Sequence, residues 1–121
     1  MNDEFVITKV EKMIFTIRSQ KVMLDRDLAS LYGVEVKRLN ELVKRNLERF
    51  PEDFMFQCNS SELDDLRSQF ATANPARVWN HKSRSLPYLF TENGVAMLSS
   101  VLSSPQAIQV IISIIRIFTK L

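Results

Sequence analysis

The spacing of apolar residues in the first half of the chain predicts a hairpin followed by two short helices. Residues 12–24 are rich in β-branched and aromatic side chains and are interrupted by the polar run 18–20, a pattern typical of two strands joined by a tight turn. Asp25 is a suitable N-cap and Gly33 a suitable helix end, so one helix is expected between them. A second helix is predicted over residues 35–46, because its apolar residues recur on one face.

The second half of the chain alternates between strand and helix patterns. Residues 54–58 and 86–90 are predicted to be strands that pair with each other. A short helix that ends near Gln69 and a loop over residues 71–85 are expected between them.

Two further helices are expected at the C-terminal end, over residues 92–102 after the capping residue Thr91 and over residues 105–121 with Pro105 in the first turn. The predicted fold class is therefore α+β. We expect a single winged helix-turn-helix-like domain over residues 1–121, with short β-hairpins and two C-terminal helices.

The two helices predicted within residues 25–46 have the spacing of a helix-turn-helix motif. Ala29 is small where the second helix would cross closely, and Gly33 permits the left-handed backbone of the turn. Such a pair exposes one face of its second helix, which other proteins place in the major groove of DNA. The core between the helices is predicted to contain Leu28, Val34, Leu39 and Leu42.

The exposed face of the second helix carries side chains that suit DNA, since Arg pairs with guanine, Asn pairs with adenine and Lys binds phosphate. A solvated helix face has a similar composition, so spacing and composition alone leave both interpretations open. As DNA contacts we predict Lys37, Arg38, Asn40 and Glu41 on the bases, and Lys44 and Arg45 on the backbone.

The predicted loop over residues 71–85 is basic and contains no acidic residue. We predict that Arg77, Lys82 and Arg84 contact the DNA backbone from a wing beside the helix pair. Trp79 has two interpretations, a role in this loop or packing against the core. His81 is expected to be mostly neutral at pH 7 and therefore a weak phosphate ligand.

Composition and charge narrow the classes of function. The chain has 121 residues, of which 45% are apolar and 25% are charged, as in one ordinary globular domain. The net charge is +2, so any surface for nucleic acid must arise from local clustering of basic residues. The acidic N-terminus does not resemble a signal peptide, and residues 107–121 fall short of the roughly 20 needed for a membrane span. We expect a cytoplasmic protein that does not bind membranes.

Few residues are available for catalysis or for binding metal. The single Cys58 and the single His81 are too few for an internal disulfide or a zinc site. Cys58 also lies in an apolar predicted strand without an orienting third residue, which does not suit a nucleophile. We therefore expect no enzymatic activity, no metal and no cofactor.

Three blocks of sequence carry a resemblance to a known family. They are residues 24–56 (LDRDLASLYGVEVKRLNELVKRNLERFPEDFMF), residues 66–71 (LRSQFA) and residues 86–102 (LPYLFTENGVAMLSSVL). In this order they resemble the ORF-six N-terminal domain of phages and bacteria, a relative of the KilA-N and Bro-N DNA-binding domains. The resemblance implies a DNA-binding module of phage or prophage regulators, including antirepressors, that precedes a variable C-terminal domain. The loop over residues 72–85 departs from relatives in lacking a Gly-Arg-Arg-Tyr-like tip.

The last predicted helix bears on partners. Residues 105–121 are apolar around most of the helix, which favours burial against a second chain in a homodimer, although a helix central to the core has the same pattern. We expect duplex DNA as the main partner and this chain as the N-terminal part of a longer protein. The alternative function is a protein-interaction module that binds a repressor or another regulatory protein through an exposed apolar patch.

Overall fold

The computed structural model describes residues 3–79 and 85–121. Within these ranges the chain forms one antiparallel sheet and six α-helices, which confirms the α+β class. The strands are β1 (Ile14–Ile17), β2 (Gln20–Leu24), β3 (Met55–Gln57) and β4 (Tyr88–Thr91). The helices are α1 (Asp3–Glu11), α2 (Asp25–Tyr32), α3 (Val36–Arg45), α4 (Ser60–Ala73), α5 (Glu92–Met97) and α6 (Pro105–Lys120). Short 3₁₀ turns follow α3 and α5, at Leu47–Arg49 and Leu98–Ser100.

The predicted hairpin is present as β1 and β2. Its two turn residues, Arg18 and Ser19, have φ angles of 56° and 61°, and Ile17 pairs with Gln20 across the turn. Positive φ at both positions gives the turn the twist that antiparallel strands require. The guanidinium of Arg18 then lies 4.0 Å from the centre of the Phe56 ring and donates hydrogen bonds of 2.7 and 3.2 Å to Glu62. The hairpin is thereby joined to α4.

The sheet has the strand order β1-β2-β4-β3 and is covered by helices on both faces. Adjacent strand residues point to two different cores, since Met23 belongs to one core whereas Val22 and Leu24 belong to the other. The first core packs the sheet against α1, α2, α3, α5 and α6. The second packs it against α4, whose Leu66 is fully buried.

The predicted connection between β3 and β4 differs from the structure. A capping box between Asn59 and Glu62 begins α4, and Leu66 and Phe70 hold the helix on the second core. The helix continues to Ala73, so residues 71–73 of the predicted loop are helical. The helix between β3 and β4 is therefore longer than predicted, and the loop that follows it is shorter. Helix α1 was not predicted.

The C-terminal helices begin where predicted, after Thr91 and at Pro105. Thr91 Oγ1 accepts a hydrogen bond from the Gly94 amide, and Ser104 Oγ accepts one from the Ala107 amide. Helix α5 ends at Met97, earlier than predicted, and a 3₁₀ turn follows it. The side chains that α6 buries are Ala107, Ile111, Ile114, Ile117 and Phe118.

Candidate nucleic-acid interface

The junction between α2 and α3 is closed by backbone hydrogen bonds. Gly33 has a φ of 73°, its amide donates to the Ser30 carbonyl at 3.2 Å, and the Val34 amide donates to the Ala29 carbonyl at 3.0 Å. This is the Schellman pattern, which reverses the chain within a few residues at a helix end. Leu28 and Leu39 are fully buried on facing sides of the junction. The two helices predicted from the spacing around Gly33 are thus both present and in contact.

The outward face of α3 is basic. Leu39 and Val43 bury the inward face. Among the side chains of residues 7–79 and 85–121, no carboxylate lies within 4.0 Å of any basic group on α3. The outward face exposes Lys37, Arg38, Lys44 and Arg45, with Glu41 half-buried beside them.

Asn40 is half-buried, unlike these cations, and contacts Asp25. Its amide nitrogen donates to Asp25 Oδ2 at 3.0 Å. The same oxygen accepts from the Tyr88 amide at 3.3 Å, and Asp25 Oδ1 accepts from the Arg26 amide at 2.7 Å. Asp25 is therefore not the side-chain N-cap that was predicted, because Leu24 occupies the cap position and the carboxylate joins three segments instead. A bidentate contact between Asn40 and adenine would require the bond to Asp25 to break.

The predicted basic loop is described only up to residue 79. Lys82, Arg84 and His81 lie outside the described residues. Arg77 is exposed in the turn that follows α4, where its amide donates to the Asn74 carbonyl at 3.0 Å. Trp79 packs edge-on against Phe70, with ring centres 5.3 Å apart, and belongs to the second core. The packing interpretation of Trp79 is therefore the one that the structure supports.

A cleft of about 510 Å³ lies between α1, α2 and the turn after α4. Four basic side chains line it, and we call it the basic cleft. Asp27 is the carboxylate in its lining, and burial raises the pKa of Asp27 to about 6. Sequence reasoning missed this site because its cations come from three separate segments and share no local motif. They are Lys9, Lys12, Arg26 and Arg77.

Cys58, the single cysteine of the chain, is buried. Burial raises the pKa of the Cys58 thiol to about 11, so Cys58 is a poor nucleophile at neutral pH. No group of three or more His, Cys, Asp or Glu side chains within residues 3–79 and 85–121 is placed to hold a metal ion. No helix in these ranges is both long and apolar enough to cross a bilayer.

Comparison with known protein families identifies the family of this chain. The family model of the ORF6N domain matches residues 12–101, which include β1 through α5 and both α2 and α3. The chain belongs to the ORF6N domain family. This confirms the resemblance found in the sequence. Comparisons with curated proteins and with solved structures return no match.

Proposed function

We propose that this ORF6N domain binds double-stranded DNA sequence-specifically, as part of a phage- or prophage-type transcription regulator or antirepressor. The observation that carries the proposal is the outward face of α3, where four cations surround Glu41 without a close ion pair among the described residues. Membership of the ORF6N family supports a regulatory or DNA-related role. In this proposal α2 and α3 act as a helix-turn-helix.

The position of each side chain along α3 suggests its role. Lys37 and Arg38 lie in the first turn, and recognition helices contact base edges mainly through their N-terminal residues. Lys44 and Arg45 lie in the last turn and suit phosphate, as does the exposed Arg77. Glu41 lies between the two groups, where it can accept a hydrogen bond from cytosine.

The test is binding to duplex DNA selected from a random pool, measured by fluorescence anisotropy. We expect Arg38→Ala to lose about 1–3 kcal/mol of discrimination between the selected site and a random duplex. Lys44→Ala is expected to weaken binding to both duplexes by the same factor and to reduce the slope of log affinity against log salt by about 0.9. Arg67→Ala is the matched control, because Arg67 is exposed on α4, across the sheet from α3.

Two results would contradict the proposal. The first is a parent protein that binds no duplex at low salt. The second is a folded variant lacking both Arg38 and Lys44 that binds as tightly as the Arg67→Ala control.

We also propose that the domain forms a homodimer through residues 105–121. The chain itself covers most of the apolar surface of α6, because five of its side chains are buried in the first core. A stripe of Ile108, Ile112 and Ile115 remains at helical spacing on another side, and Ile112 is 38% exposed. Such a small interface is sufficient when two copies bind neighbouring half-sites, since a shared duplex raises their effective concentration.

A further inference from the structure

The basic cleft contains a partly buried cation, Arg26, that makes no close ion pair among the described residues. The guanidinium of Arg26 lies 4.1 Å from the centre of the Trp79 ring, and Trp79 is in turn held edge-on by Phe70. With the side chains of residues 7–79 and 85–121, the Arg26 guanidinium makes no ion pair within 4.0 Å. Burial lowers the pKa of Arg26, which reflects the cost of desolvating its charge. Its orientation is thus fixed by packing, and the carboxylates of Asp27 and Asp25 act on its charge only from beyond ion-pair distance.

The other cations of the basic cleft surround Arg26 from different elements. Lys9 belongs to α1, Lys12 follows it, and Arg77 lies in the turn after α4. All three are exposed and none lies within 4.0 Å of a carboxylate in the part of the chain that the structure describes. Four positive charges therefore converge on one concave surface with a single carboxylate, Asp27, in the lining.

The rest of the lining is suited to an organic phosphate. Met13, Phe15 and Phe70 supply apolar surface beside the cations, and the volume of about 510 Å³ is in the range of small-molecule sites. Guanidinium groups bind phosphate through paired hydrogen bonds, whereas Lys contributes a flexible point charge. These are the two kinds of cation that the basic cleft contains.

We propose that the basic cleft is a phosphate-binding site, in which Arg26 and Arg77 donate hydrogen bonds to the phosphate and Lys9 and Lys12 add charge at the rim. Two sources of this chemistry are possible, a phosphodiester of duplex DNA or the phosphate of a free nucleotide. The DNA source rests on the proposed function of α3, and the nucleotide source does not.

The experiment compares two probes, a random 20-base-pair duplex by fluorescence anisotropy and deoxyadenosine monophosphate by titration calorimetry at low salt. Lys9→Gln combined with Lys12→Gln removes two exposed charges without disturbing the packing of Arg26 on Trp79. Asp27→Asn removes the opposing charge, and Arg67→Gln is the control, because Arg67 is exposed on α4 and does not line the cleft. Because Asp27→Asn is expected to tighten binding, its effect cannot be attributed to loss of folding.

We expect the double Lys variant to bind at least one probe more weakly, with the salt slope for the duplex reduced by about 1.8 if both residues contact phosphates. Asp27→Asn should bind the same probe about threefold to tenfold more tightly, and Arg67→Gln should match the parent. A response with the duplex alone identifies DNA as the source. A response with the nucleotide identifies a small ligand, and this result stands even if α3 does not bind DNA.

The proposal is overturned if neither probe binds the parent, or if the cleft variants bind both probes as the parent does. In the latter case the phosphate site is rejected. If Arg38→Ala still weakens binding to the duplex, the proposed function of α3 remains supported.

Discussion

At the residue scale, Asp25 shows how one buried carboxylate positions the candidate interface. It is 4% exposed and accepts hydrogen bonds from the Arg26 amide, the Tyr88 amide and the Asn40 side chain. A buried carboxylate is tolerated when its oxygens are satisfied in this way. Because the three donors come from α2, β4 and α3, this one side chain holds the proposed reading helix against the sheet.

Its neighbour Asp27 leads to a prediction about pH. Burial raises the pKa of Asp27 to about 6, despite the opposing effect of Arg26, Arg77 and Lys9, and Asp25 raises it further. The folded state therefore holds this proton more tightly than the unfolded state, whose pKa is near 3.8. Ionising Asp27 in the folded state lowers the free energy of unfolding. This loss is absent below about pH 4, increases as the pH rises towards 6, and is complete above that.

We expect Asp27→Asn to raise the free energy of unfolding by about 1–2 kcal/mol at pH 8 and to have little effect near pH 4. Urea denaturation of the parent and the variant at both pH values measures this difference. An equal effect at pH 4 and pH 8 would show that the change comes from packing and not from ionisation.

At the scale of elements, the two glycines are required for different physical reasons. Gly33 ends α2 with a φ of 73°, and a Cβ built there would meet no atom within 4 Å. Gly94 has no such φ, but a Cβ there would lie 1.9 Å from the Phe54 carbonyl oxygen. The backbone conformation thus selects glycine in the α2–α3 turn, whereas lack of space selects it where α5 packs on the residue before β3.

Substitutions at these two glycines should therefore lower the free energy of unfolding by different amounts. Gly33→Ala is expected to cost about 1 kcal/mol from the left-handed backbone alone, and Gly33→Asn less, because Asn adopts this conformation more readily. Gly94→Ala should destabilise the fold more than either Gly33 variant, since backbone atoms must move to admit its Cβ. Equilibrium denaturation of the three variants gives the ranking. A Gly33→Asn variant less stable than Gly33→Ala would contradict the account of the turn.

At the scale of the whole molecule, the two-sided sheet determines which surfaces of α6 are free. The helix contributes Ile111 to the first core, where it is 4% exposed, whereas the adjacent Ile112 is 38% exposed. The two isoleucines therefore separate folding from association. A substitution at Ile111 tests the internal core, and a substitution at Ile112 tests the proposed dimer.

We expect Ile112→Glu to remain folded and to convert a dimer into a monomer, because it places a charge in the proposed interface. Ile111→Glu is expected to destabilise the fold by more than about 3 kcal/mol, since it buries an unpaired charge. Sedimentation equilibrium over a hundredfold range of concentration, with circular dichroism, measures both effects. A parent that stays monomeric on DNA as well as in free solution would rule out the dimer.

The accuracy of the sequence predictions varied with the range of the interactions involved. The hairpin around Arg18, the helix end at Gly33, the cap at Thr91 and the helix start at Pro105 were all predicted, and the structure contains each of them. The length of α4 was underestimated, because contacts of Phe70 with the distant Trp79 extend the apolar face of this helix.

In the candidate site, too, local features were predicted from the sequence and contacts between distant segments were not. The sequence by itself determined that α3 has a basic outward face, because residues three and four positions apart share a helix face wherever the helix packs. Only the tertiary structure decided that Asn40 contacts Asp25, and that Lys9, Arg26 and Arg77 line one cleft. Turns and caps such as those at Gly33 and Thr91 depend on neighbours within about four residues and can be predicted from a short segment. The cap predicted for Asp25 was wrong, because its carboxylate bonds to the distant Asn40 and Tyr88. The contacts of Asn40 and the basic cleft join distant segments, and they exist only because two cores pack the whole chain around one sheet.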